Sequence, residues 1–278
     1  VPYTRGSEHS RPINEILKEA KQQVDNGAKE IILLGQNVNA YNYDNKKLSD
    51  LLFVLDKISG LQRIRYTTSH PKDLTQDLIE AHKDCKKLMP ILHLPVQSGS
   101  SKILKLMNRN HTIEEYLELI EKLKINKSTI KFSSDFIIAY PGETDKDFEE
   151  TVQLMKKVKF INSYSFIFSP RPGTPAANLK EVDSFIAKKR LAYFQNISNV
   201  VKSEYRNQLV NTTVKVLFEN KIKEKNKFFG RDEHFNSVIV ESDKDLSGEI
   251  KEVKINKCNQ NTLFGEIISA SKKVEYAA

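Results

Sequence analysis

The chain has 278 residues, 39% hydrophobic and 29% charged, with 44 Lys and Arg against 36 Asp and Glu for a net charge of +8. That length supports one large domain plus a small one, and the basic balance permits a polyanionic partner without establishing one. The longest apolar runs, EIILLG and DFIIAYP, fall far short of the ~20 residues that span a bilayer, so neither a membrane segment nor a secretory signal is expected.

The chain opens on VPYTRGSEHSRP, a polar loop that delivers the backbone into a helix at Pro12 and reads as the continuation of something before it. The helix, PINEILKEAKQQVDNGA, carries Ile13, Ile16, Leu17, Ala20 and Val24 at helical spacing and Gly27 as a stop. Short β-rich runs then alternate with helical patterns: EIILLG, LSDLLFVLDKIS, RIRYTTS, LTQDLIEAHK, PILHLPVQ, SSKILKLMN, TIEEYLELIEKLK, IKFSSDFIIAYP, TDKDFEETVQLMKKV and SYSFIFSP. Five strands separated by helices predict parallel βαβ units, and polar loops after nearly every strand favour a barrel or part-barrel over an open sheet. A long helix over roughly 184–207 closes this region. From about residue 207 the grammar becomes short alternating strands, TTVKVLFE, KFFGR, SVIVES, GEIKEVKIN and LFGEIIS, which predict a small all-β barrel.

Cys85 and Cys258 are far apart and have neither metal nor disulfide spacing; they are expected to be small buried hydrophobes in a reducing cytoplasm. The loop LGQNVNAY brings Gly35, Gln36, Asn37 and Asn39 after the first strand, offering amides to a polar ligand, although on this stretch alone an ordinary Asn-rich loop is the better account. Ser69 and His70 follow the second strand; His93, Gln97 and the Ser98–Ser101 turn follow the third, where Ser either caps a helix or helps bind an anion. Thr144 and Asp147 have capping-box spacing. Arg171 sits in the rigid loop SPRPGTPAA. No metal cluster, phosphate loop or nucleophile elbow stands out, so the residues alone leave the reaction open.

The ordered strings VPYTRGSEHSRP, LLGQNVNAY, RIRYTTSHPKDL, HLPVQSGSSKILKLMNRNHT, DFIIAYPGETDKDFEETV and FSPRPGTPAA resemble the tRNA methylthiotransferases, radical S-adenosylmethionine enzymes, in the branch that acts on isopentenyladenosine beside the anticodon. The resemblance covers essentially the whole chain. It implies an α/β fold, a partial radical-SAM (β/α) barrel over 1–206, followed by a TRAM barrel over 207–270 and a tail over 271–278. It also implies S-adenosylmethionine and two four-iron four-sulfur (4Fe-4S) clusters as cofactors, a tRNA anticodon stem-loop as substrate, and an electron donor.

Carried across by position, the resemblance makes Gly35, Gln36, Asn37, Gln97, Ser98, Asp135, Tyr140, Gly142, Arg5, Arg11 and Arg171 candidate cofactor-binding residues. The stretch KIKEKNKFFGR supplies Lys221, Lys223, Lys225, Lys227, Phe228, Phe229 and Arg231 as candidate RNA-binding residues, since lysines neutralise phosphates and rings stack on bases; a solvated hairpin with core phenylalanines fits that stretch as well. In the family a CxxxCxxC loop sits directly before VPYTRG. The expectation is therefore that the cluster cysteines, the first barrel strand and an N-terminal domain are absent here, leaving a C-terminal fragment inactive alone. A silent RNA-binding remnant and one half of a split enzyme, partnered by a separate N-terminal half, remain open beside it.

Overall fold

The structure is a computed structural model that describes residues 9–67, 69–223 and 226–268. Arg5 and Lys225 lie outside the described residues. The chain divides into two units, Val1–Leu94 with Glu118–Ile130, and Pro95–Leu117 with Lys131–Ala278.

In the first unit α1 (Ile13–Asp25) starts at Pro12 and buries Ala20 and Val24. Gly27, at φ 101°, turns the chain into β1 (Glu30–Leu33), which pairs in parallel with β4 (Arg63–Tyr66) from Glu30 opposite Arg63 to Leu33 opposite Tyr66. Between them lies a hairpin that the sequence reading did not anticipate, β2 (Asn42–Tyr43) and β3 (Lys46–Lys47). Its turn residues Asp44 and Asn45 have φ 49° and 59°, the left-handed conformation that two-residue hairpin turns require and that Asp and Asn tolerate. Helix α2 (Leu48–Asp56) buries Leu48, Leu51, Leu52 and Leu55, each worth about 1.5–3 kcal/mol of transfer free energy. Helix α3 (Gln76–Asp84) and strand β5 (Ile91–His93) follow.

Strand β4 is buried on both faces, as expected of a parallel strand covered on each side. Its Arg65 Nε meets Glu30 Oε2 at 3.0 Å with both side chains largely buried. The Tyr66 hydroxyl and His82 Nε2 share a buried hydrogen bond of 2.7 Å. Burial, then the nearby Lys127 charge, pushes the His82 pKa down to about 3, so the ring is neutral.

The second unit holds α4 (Ser101–Leu106), β6 (Lys131–Ile138), α6 (Asp145–Val158), β7 (Asn162–Ile167) and the long α7 (Ser184–Leu209). Helix α5 (Ile113–Asn126) falls across the division of the chain. β6 and β7 pair in parallel from Ser133 opposite Asn162 to Ile138 opposite Ile167, and α7 covers one face by setting Phe194 against Phe136 at 4.8 Å between ring centroids. The βαβ alternation expected from the sequence is therefore present in both units.

After α7, strands β8 (Thr213–Lys221), β9 (Lys227–Arg231), β10 (Ser237–Glu241), β11 (Ile250–Cys258) and β12 (Thr262–Ile267) close into a barrel in the order β10-β12-β11-β8-β9. Val216, Phe218, Phe228, Val238, Val240, Leu246, Val253, Ile255 and Leu263 fill it. Strands approach so closely that a Cβ at Gly230 would strike the Leu217 carbonyl, so a small barrel needs glycine there. Among the described residues no helix is long and apolar enough to cross a membrane.

Candidate cofactor loops and nucleic-acid interface

The loops after β1 and β4 are tied together. Asn39 Nδ2 donates to the His70 carbonyl at 2.8 Å, and the His70 N–H donates to Asn39 Oδ1 at 2.8 Å. Asn37 Nδ2 donates to Asp73 Oδ2 at 2.6 Å, while Asn37 Oδ1 is a buried acceptor with no partner among the described residues. Gly35 and Gln36 are exposed beside it. Asn37 and Asn39, both singled out from the sequence, thus tie the two loops together and leave one acceptor to spare.

In the second unit, Gln97 sits at φ 75° and locks onto β6: its N–H donates to the Asp135 carbonyl at 3.0 Å, and its carbonyl accepts from the Ile137 N–H at 2.9 Å. Asp135 and Ile137 stand opposite Tyr164 and Phe166 of β7, so the four share one sheet face, on which Tyr164 and Phe166 are 51% and 60% exposed. Arg109 is held below the usual guanidinium pKa by burial, against the counter-pull of Asp135.

The exit of β6 is held by a carboxylate. Glu143 Oε1 accepts from the Ala139 N–H at 3.0 Å and from Arg190 Nη1 at 2.8 Å, while Oε2 is buried without a partner among the described residues. Burial outweighs the Ala139 and Arg190 bonds and raises the Glu143 pKa to about 6. Tyr140 donates to the Leu106 carbonyl at 3.0 Å and sets its ring edge-on to Phe168. Gly142, at φ 85°, presents its carbonyl to Lys102 Nζ at 3.1 Å. Asp147 completes the expected capping box with Thr144 and also binds Lys102 Nζ and the Ser100 hydroxyl at 2.8 and 2.7 Å. Burial works to raise its pKa, but the hydrogen bonds from Lys102, Thr144 and Ser100 hold it well below the carboxylate range.

Several candidates are placed elsewhere. Ser98 is fully buried; its hydroxyl shares a 3.3 Å hydrogen bond with Thr151 and accepts from the Ser100 N–H, so it is spent on packing, and Ser100 is the helix cap. Arg11 lies on the α1 surface, paired with Glu19 at 2.8 Å. Arg171 is exposed in its loop. Arg190 and Arg109 carried no local sequence signal, because their carboxylate partners are distant in the chain.

On the barrel, Phe228 belongs to the core and is closed to a base, which corrects the expectation for that ring; alternation along β9 puts Phe229 on the other face. The Arg231 guanidinium lies 5.2 Å from the Phe229 ring and 4.2 Å from Phe235, and pairs with Glu219 at 3.2 Å. Phe235, 39% exposed at φ 67°, is the outward aromatic that the sequence reading missed. Lys221 stands 5.7 Å from the Phe228 ring; Lys223 is exposed and Lys227 half-buried.

The sequence matches the Radical SAM superfamily over residues 1–155. The chain belongs to that superfamily. Residues 207–268 match the TRAM domain, the stretch that closes into the barrel. This radical SAM chain is 57% identical, over 98% of its length, to a tRNA-2-methylthio-N(6)-dimethylallyladenosine synthase of Pelagibacter ubique. It is 48% identical over 95% to one from the Wolbachia of Brugia malayi. It spans 62% of the length of each. Among solved structures, coproporphyrinogen III oxidase from Escherichia coli, a radical SAM enzyme, superposes with a TM-score of 0.51 at 11% identity, covering 92% of this chain and 65% of that one; this is a likeness of fold.

Radical SAM proteins work with S-adenosylmethionine and a four-iron four-sulfur cluster. The loop at Asn37, with its open acceptor, fits a ligand bearing N–H donors such as the ammonium of S-adenosylmethionine. The described residues do not fit the cluster: no three of their His, Cys, Asp or Glu side chains gather as a metal site. Cys85 is fully buried with its thiol pushed up to about 12, by burial first and the Asp56 charge second. Cys258 Sγ lies 3.2 Å from Asn207 Oδ1.

Proposed function

We propose that this protein methylthiolates carbon 2 of isopentenyladenosine next to the anticodon of tRNA, in the cytoplasm, with its α/β part over 1–206 and its TRAM barrel over 207–270. The observation that carries the reading is the 57% identity with the Pelagibacter synthase over 98% of the chain, which includes both the superfamily and the TRAM stretch.

In this reading S-adenosylmethionine, two four-iron four-sulfur clusters and an electron donor would supply the radical chemistry, the sulfur and its methyl group. The chain's own residues bind and orient. Asn37, fixed through Nδ2 by Asp73, keeps Oδ1 for the ammonium of the cofactor, with Gly35 and Gln36 beside it. In the second unit Gln97, Asp135, Tyr140 and Gly142 frame the end of β6, where the Glu143–Arg190 pair holds the backbone. The exposed rings of Tyr164 and Phe166, on the Asp135 face, offer planar apolar surface to the substrate base. Arg231 and Phe235 give the barrel a cation beside a ring, a combination suited to single-stranded RNA.

The test is a chimera in which this chain replaces the matching part of the Pelagibacter synthase, expressed in a bacterium without its own methylthiolation. Mass spectrometry of total tRNA nucleosides is expected to show 2-methylthio-isopentenyladenosine. Unmodified isopentenyladenosine alone, from a soluble chimera that binds S-adenosylmethionine, would defeat the reading.

A further inference from the structure

Where α7 meets the barrel, cations lie close to one aromatic ring, Tyr205. Arg206, in the last turn of α7, is 7% exposed, and its Nε and Nη1 are buried with no hydrogen-bond partner among the described residues. Lys202 lies one turn earlier on the same helix face and is half-buried. From β6, Lys131 Nζ stands 5.8 Å over the ring of Tyr205. Tyr205 is also the link to the barrel: its hydroxyl accepts from Asn236 Nδ2 at 3.2 Å, and its ring meets His234 edge-on at 6.2 Å.

Like charges at i and i+4 repel, and burying guanidinium N–H groups without a partner is unfavourable. Burial lowers the pKa of both groups, and Arg206 lowers that of Lys202 further. The carboxylate that acts on Arg206 is Asp232. Its oxygens already accept the His234 and Asn236 N–H groups and Asn236 Nδ2. The carboxylate that acts on Arg206 is therefore already bonded elsewhere. An arrangement that is unfavourable in the free chain becomes favourable when an anion enters, because guanidinium forks match phosphate oxygens.

We infer that Lys131, Lys202 and Arg206, gathered round Tyr205 at the junction of α7 and the barrel, seat one backbone phosphate of the bound RNA. The strand leaving this seat runs by the β9–β10 loop, where Phe235 is exposed. This rests on the tRNA reading above for the identity of the RNA, and on the geometry alone for the phosphate.

The experiment measures binding of the full chain to a labelled anticodon stem-loop, and to an unrelated stem-loop, across a range of salt. Lys202→Gln and Arg206→Met are each expected to weaken binding about tenfold, the scale of one charge-assisted hydrogen-bonded contact. Each should flatten the plot of log affinity against log salt by about 0.7–0.9. Arg206→Met is further expected to leave the melting temperature unchanged or raised, since an apolar side chain replaces an unpaired buried charge. If that variant melts lower, half-buried Lys202→Gln decides. Unchanged affinity and slope in Lys202→Gln and Arg206→Met, or no RNA binding by the unaltered chain, overturns the seat. Equal losses for the two RNAs keep the seat and count against the tRNA assignment.

Discussion

Arg190 reaches back from α7 to hold Glu143 at 2.8 Å, and the same carboxylate oxygen takes the Ala139 N–H. Ala139 sits at φ 60°, a conformation costly for a residue with a Cβ, so this contact fixes a strained strand exit. Arg190 also reaches Asp145 through Nη2 at 2.7 Å and lies 5.6 Å from the Phe148 ring. Replacing Arg190 with Gln leaves the Glu143 carboxylate buried and uncompensated. The expected cost is about 3 kcal/mol at neutral pH, read from chemical unfolding; a loss under 1 kcal/mol would show that the loop is held by other means.

The Glu143 carboxyl gives a pH signature. Its folded pKa, about 6, lies above its ordinary 4.5. The unfolded chain therefore ionises first, and this group's contribution to stability, full below pH 4.5, falls as pH rises to about 6, by up to ~2 kcal/mol. Glu143→Gln should remove that downward slope. An identical pH profile for the variant and the unaltered chain would refute the assignment.

His82 acts with the opposite sign. Its folded pKa, near 3, lies below the usual 6.5, so the unfolded chain takes up the proton first on acidification. Stability present above pH 6.5 is lost as pH falls, by up to ~1.4 kcal/mol per unit. His82→Gln keeps a polar partner for the Tyr66 hydroxyl and removes this loss. Because His82 and Glu143 titrate over overlapping windows, each single variant should expose the other's slope; two flat profiles would contradict both.

Gly99 tests packing. A Cβ there would stand 2.5 Å from the Glu150 carbonyl oxygen and the Thr151 Cα, both backbone atoms of α6, and the Gly99 N–H donates to Thr151 Oγ1 at 2.9 Å. Gly99→Ala should cost about 2–4 kcal/mol. Gly27, at φ 101° with open space around its Cβ position, is the control: Gly27→Ala carries only the backbone penalty, about 1 kcal/mol. Comparable melting temperatures for the two variants would go against the close approach at Gly99.

What could be read from the chain beforehand was local or periodic. The Thr144–Asp147 spacing marked a helix start, and KFFGR marked β9 to the residue. The hairpin at Asp44 and Asn45 escaped because its strands are two residues long, too short for an alternating pattern. At the candidate site, loop membership was legible and side-chain allegiance was not. Ser98 and Ser100 are equally polar in the sequence, yet Thr151 and Asp147, some fifty positions on, determine what each hydroxyl does. Phe228 and Phe229 differ only in which face of β9 they occupy. The Arg190 contact with Glu143 spans 47 positions, and no short pattern announces such a pair.

The clasp between Asn39 and His70 distributes constraint unevenly. Both of its hydrogen bonds end on the main chain of position 70, so many side chains there leave it intact. Position 39 must supply a donor and an acceptor from one short planar group. Asp lacks the donor and Gln carries the amide one carbon too far, so this clasp between the two loops is available to asparagine and to few other residues.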